Sequence, residues 1–111
     1  MDKLGIFGLV GKKTGKHSFN IYDMKTALDS VGGIYIVTKR SKNNEGKYEH
    51  KVIYIGETKN LKDRFSNHHR QSCFDKNNSN CICFLQEENE SKRLEIEKDL
   101  IETVSPPCNR E

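Results

Sequence analysis

Two tyrosines sit inside apolar, β-branched runs, Ile34-Tyr35-Ile36-Val37 and Val52-Ile53-Tyr54-Ile55. Alternate side chains of a strand share a face, so each tyrosine points away from its flanking isoleucines. With those isoleucines facing a core under helices, Tyr35 and Tyr54 share the other face; the alternative is a cross-strand pair that only packs. Arg64 and His68 stand four apart in a segment predicted helical, on or beside a stripe of Leu61 and Phe65. Further on, winding residues 90–104 at about 100° per residue places Glu97 within an apolar arc of Leu94, Leu100, Ile101 and Val104. Glu95, Lys98, Asp99 and Glu102 fall on the opposite side and are expected to be solvated. A carboxylate on a core-facing arc is costly unless it is paired, hydrogen-bonded or bound to a metal. An ion pair with an Arg or Lys at the sheet rim would meet that cost, and so would a cation. As a set, these residue types suit phosphodiester hydrolysis. A carboxylate can hold a divalent metal that polarises a phosphoryl oxygen. An arginine can clamp the developing charge with two parallel donors, and a tyrosine or histidine can move the proton of the attacking water.

The elements that must position these groups follow from periodicity. Met24, Ala27, Leu28 and Val31 lie on one helical stripe, which predicts a helix over 21–31 stopped by Gly32-Gly33. Strands are expected at 34–38 and 52–55, joined by a polar hairpin connection over 39–50. Asn60 can cap a helix that starts at Leu61 and runs to about Arg70. A loop at 75–80, a short strand at 81–85 and a helix at 90–104, ended by Pro106-Pro107, complete the chain. Helices mixed with a small, mostly antiparallel sheet make the class α+β. Residues 1–20 are rich in Gly and Lys and read as a mobile arm or a ragged edge strand. Gly15-Lys16 comes near a phosphate-binding loop, but Val10 stands where its first Gly should be and His17 where its Ser or Thr should be, which excludes an NTPase of that kind.

Composition narrows the class further. The chain has 111 residues and a net charge of +3, with 33% apolar residues and no Trp. That is one small domain with a modest core. No apolar run approaches the ~18 residues of a membrane helix, and no signal-peptide pattern opens the chain, so a cytoplasmic protein is expected. Cys73, Cys81, Cys83 and Cys108 are then expected as free, buried thiols. A zinc-stapled interaction module is the rival use of these cysteines.

Gly33-Ile34-Tyr35 followed by Tyr54-Ile55-Gly56 resembles the GIY-YIG nucleases. The segment Glu57-Thr58-Lys59-Asn60-Leu61-Lys62-Asp63-Arg64-Phe65 resembles that family's next turn and helix, with Arg64 at its characteristic arginine and His68 where members carry His or Tyr. Residues 97–109 resemble the last helix and exit, with Glu97 at the metal-binding glutamate and Asn109 at the closing asparagine. Glu57 stands where some relatives carry a lysine. The resemblance implies a three-stranded antiparallel sheet flanked by helices in residues 33–111, preceded by a basic extension and helix in residues 1–32. It implies an endonuclease using one Mg²⁺ or Mn²⁺ ion, with DNA, double-stranded above all, as its partner. In that scheme Glu97 holds the metal, Arg64 clamps the phosphate, and Tyr35 and Tyr54 position or deprotonate the water. His68 relays protons or holds a tyrosine, and Asn109 orients a tyrosine or the phosphate. Lys39, Arg40, Lys42, Lys59 and Lys62 are candidates for nucleic-acid backbone contacts. A catalytically inactive nucleic-acid- or protein-binding module on the same fold is the alternative.

Overall fold

The two tyrosine runs pair with each other as expected, but the sheet they start is larger than the family pattern implies. A computed structural model describes residues 2–110. Its strands are β1 (Gly5–Gly11), β2 (Gly15–Asp23), β3 (Gly33–Lys42), β4 (Tyr48–Thr58) and β5 (Cys81–Gln86), and its helices are α1 (Leu61–Ser66), α2 (Gln71–Lys76) and α3 (Glu90–Val104). A short 3-10 turn, Pro107–Asn109, closes the described chain. The fold is α+β. The strands form one antiparallel sheet in the order β1-β2-β5-β3-β4, curled into a half-barrel. Three strands were expected and five are present, because residues 5–23 form a hairpin that extends the sheet beyond β5. Among the described residues no helix is long and apolar enough to cross a membrane.

The expected helix over 21–31 does not form. Residues 20–23 continue β2 instead and pair with β5, Ile21 opposite Cys83 and Tyr22 opposite Ile82. An isolated helix of that length is marginal in water, whereas the strand gains a ladder and buries Ile21 and Tyr22. The apolar stripe was a real burial signal all the same, since Met24, Leu28 and Val31 pack against the core from irregular chain.

Side-chain alternation divides the core between the two sheet faces. Tyr35, Val37, Ile82 and Phe84 face α1 and α2, packed with Leu61 and Phe74. Ile34, Ile36, Ile55, Cys81 and Cys83 face α3, packed with Leu100 and Phe19. A bulge between Val37 and Thr38 lets Ile53 join the tyrosine side despite its position next to Tyr54. Helix α3 matches its predicted bounds, with Asn89 as N-cap and Ser105 in a left-handed C-cap. Its exposure differs from the simple wheel: Leu94 is exposed, while Arg93 and Asp99 are buried. The reason is the unexpected hairpin. Asp99 accepts hydrogen bonds from the Thr14 hydroxyl (2.7 Å), the Thr14 amide (2.8 Å) and the Lys13 amide (3.2 Å), so the β1–β2 turn is pinned to the helix. Those bonds, the Thr14 hydroxyl first, hold the Asp99 carboxyl below the usual range.

The cysteines also depart from expectation. Cys73 on α2 and Cys108 in the 3-10 turn form a disulfide, with Cα atoms 5.9 Å apart. They are 35 residues apart in sequence, so only the folded chain brings them to bonding distance. Cys81 and Cys83 are free and buried, and burial pushes the Cys83 thiol up to about 12.

Candidate active site

The segment after β4, expected as one helix from Leu61 to about Arg70, is divided. Asn60 caps α1 by accepting the Asp63 amide at 3.1 Å, and the helix stops at Ser66. His68 then occupies the turn before α2. Its Nδ1 accepts the Arg70 amide at 3.0 Å and its Nε2 lies 2.7 Å from the Tyr35 hydroxyl. With Nδ1 used as an acceptor, a neutral ring carries its proton on Nε2, so His68 donates to the Tyr35 oxygen. Burial, followed by the nearby His69, Arg64 and Arg70, lowers the His68 pKa to about 4, so the ring is neutral at pH 7.

Tyr35 and Tyr54 stack at a ring separation of 6.0 Å, and His68 meets Tyr54 edge-on at 5.3 Å. Phe65 and Phe74 pack around them. Tyr35 is 1% exposed, whereas Tyr54 is half-buried and forms the open end of the cluster. Burial raises both phenols, Tyr35 far above its ordinary range. For Tyr54 that rise is opposed by the nearby Tyr35 hydroxyl and by the charges of Arg64 and Arg70.

Arg64, on α1, and Glu97, on α3, both act electrostatically on the tyrosines. Glu97 is half-buried and makes no ion pair among the described residues. Burial first, and the nearby Glu57 carboxylate, raise its pKa, while the Glu57 amide and Arg64 oppose the rise. Asn109 reaches the site through the backbone. Its Oδ1 accepts the Ile55 amide at 2.8 Å and its Nδ2 donates to the Ile55 carbonyl at 2.9 Å, which fixes the β4 edge beside Tyr54. The disulfide at Cys108 ties that asparagine to α2, which carries Phe74.

The basic candidates separate into two groups. Lys59 and Lys62 are exposed at the Arg64 end. Lys39, Arg40 and Lys42 lie at the far end of β3, where Arg40 sits 3.6 Å over the Tyr48 ring. One charged residue near the site escaped the sequence reading. Arg93 is 5% exposed and donates from Nε to Glu57 at 2.9 Å. Its place four residues before Glu97 is the only trace it leaves in the sequence. Among the described residues no cluster of three or more His, Cys, Asp or Glu side chains could hold a metal.

The family model of the GIY-YIG catalytic domain matches residues 31–111. The chain belongs to the GIY-YIG family. No curated protein and no solved structure matches it. Membership makes this a nuclease domain that acts on nucleic acid. The fold also explains the two glycines of the GIY-YIG signature. A Cβ at Gly56 would run into the ring and hydroxyl of Tyr35, its cross-strand neighbour. A Cβ at Gly33 would meet the Leu85 carbonyl and the Phe84 ring. Both glycines give way to a neighbour's bulk, and at Gly56 that neighbour is the first tyrosine of the signature.

Proposed function

We propose that this chain is a divalent-metal-dependent endonuclease that hydrolyses phosphodiester bonds in DNA, double-stranded DNA above all. The observation that carries the reading is the hydrogen bond from His68 to Tyr35 beneath the more exposed Tyr54. A neutral histidine has no solubility role in a site that is 4% exposed. Here its one N–H fixes the Tyr35 oxygen, which leaves the Tyr35 O–H to support Tyr54. Tyr54 is the accessible end of this relay and the group that holds the attacking water. Arg64 offers a planar fork for two phosphate oxygens, and its charge favours the phenolate character that Tyr54 needs as a base.

Glu97 fits a hard cation. Its carboxylate is half-buried, lacks an ion-pair partner among the described residues and has a raised pKa, so a bound cation would relieve the desolvation. Mg²⁺ or Mn²⁺ held there supplies Lewis acidity and charge neutralisation at the phosphoryl group. Asn109 maintains the β4 edge that presents Tyr54, and Lys59 and Lys62 extend the positive margin toward the flanking backbone.

The test is to incubate the full chain with supercoiled plasmid, single-stranded DNA and RNA, with Mg²⁺, with Mn²⁺ and with chelator. The expected result is metal-dependent nicking and linearisation of plasmid, absent in Glu97→Gln. Binding without cleavage under every metal condition would overturn the reading in favour of a non-catalytic module. Preference for RNA would overturn its substrate.

A further inference from the structure

A cleft of about 480 Å³ opens beside the tyrosine cluster, walled by Glu57, Lys59, Asp63, Arg64, Glu90 and Arg93 among others. Arg64 lines the cleft and also acts on both tyrosines, so it joins the cleft to the site where the reaction is proposed to occur. We propose that this cleft is a second phosphate subsite, in which Arg93 holds a phosphate neighbouring the scissile one on the bound strand. The proposal rests on the nuclease reading and specifies how that site grips its substrate.

Arg93 is held more firmly than a surface arginine. Its Nε donates to Glu57 Oε2 at 2.9 Å, and its Nη1 donates to the Glu87 and Glu88 carbonyls at 3.1 and 2.9 Å. Nη2 makes no hydrogen bond among the described residues, and it belongs to a side chain on the cleft wall. A guanidinium whose rotamer is already fixed loses little further entropy on meeting a ligand. The wall carries three cations, Lys59, Arg64 and Arg93, against three carboxylates, Glu57, Asp63 and Glu90. Such a balance is too weak to capture a free polyanion. It suits a single phosphodiester on a strand that is also held elsewhere. Glu57 both orients Arg93 and competes with the phosphate for its charge.

The experiment measures binding of the full chain to a short labelled DNA duplex without divalent metal, over a salt series. Each phosphate of one strand is replaced in turn by an uncharged methylphosphonate. For the unmodified duplex, Arg93→Gln is expected to bind about tenfold more weakly. Its log–log salt slope should be smaller by about 0.9, the signature of one lost phosphate contact. One methylphosphonate position should weaken the wild type and leave Arg93→Gln unaffected. Glu57→Gln keeps an acceptor for Nε but removes the competing charge, so it should bind several-fold more tightly. A purely structural Arg93 would make the variant and methylphosphonate effects multiply at every position, which would overturn the proposal. Should Arg93→Gln fail to fold, Glu57→Gln decides, and unchanged or weaker binding there is the refuting result. Binding that follows these expectations in a chain that never cleaves would sink the nuclease reading but leave the subsite. A wild type that does not bind DNA would sink both.

Discussion

Acid should destabilise this protein earlier than its carboxylates alone would, and His68 is the reason. Its Nδ1 accepts the Arg70 amide and its Nε2–H donates to Tyr35. A second ring proton would sit on Nδ1, facing an N–H donor, in a side chain that is 4% exposed. Burial first, then the neighbouring positive charges, hold the folded-state pKa near 4, against an ordinary value of 6.5. Between those values the unfolded chain takes up a proton that the folded chain refuses. The contribution of His68 is therefore intact above pH 6.5 and is lost as pH falls toward 4. The difference is worth about 3 kcal/mol at most, a large share of a small domain's stability. The assay is denaturant unfolding of wild type and His68→Gln at closely spaced pH values from 7.5 to 4.5. Glutamine cannot titrate and retains a donor for Tyr35. Wild type should lose about 2 kcal/mol more than the variant across this range. Glu97, whose pKa is raised, acts in the opposite direction but equally in both proteins. Parallel stability profiles, or a His68 resonance that titrates near 6.5 in the folded protein, would refute the reasoning.

Four further outcomes are expected. Gly56→Ala forces a methyl into Tyr35 and should cost about 1–3 kcal/mol, with a fall in turnover measured on plasmid. Arg64→Lys keeps the charge but loses the fork, so turnover should fall about 10²–10³-fold while KM changes little. Mn²⁺ should raise the wild type's thermal midpoint, and in Glu97→Gln that shift should be absent, as differential scanning calorimetry would show. In Asp99→Ala the hairpin loses its pin, and hydrogen exchange at the Lys13 and Thr14 amides should accelerate; in wild type the same loosening should set in as pH falls below the ordinary Asp range, because the depressed carboxyl stabilises the fold only while ionised.

What could be read from the sequence was whatever repeats with a short period. Alternation around Tyr35 and Tyr54 placed both rings on one face, and capping residues with paired prolines bounded α3. The N-terminal hairpin was hidden because β1 is glycine-rich and half-exposed, with Ile6 and Val10 facing out. The helix that ends at Ser66 looks longer from the sequence because His68, four residues after Arg64, keeps a helical spacing although it lies in a turn. Asp99, Arg93 and the Cys73–Cys108 bond all depend on partners distant in the chain. The acid on α3 looks solvated from its helix alone because the hairpin that bonds it is distant in the chain. The Arg93–Glu57 pair links two elements that no local pattern connects.

The strand order carries a consequence for how the chain is made. The β1–β2 hairpin is synthesised before the rest of the sheet, yet the strand that β2 docks against is β5, and the turn's anchor is Asp99. Translation is slow beside hairpin closure, so the first hairpin can close and then wait for seconds without a docking strand. During that interval Ile21 and Tyr22 have nothing to cover them. Helix α3, made after every strand of the sheet, thus both carries Glu97 and locks the early hairpin in place. A ribosome that stalls before β5 is made would hold a chain whose β1–β2 hairpin is closed but unmoored, and chaperones would meet this domain by that hairpin.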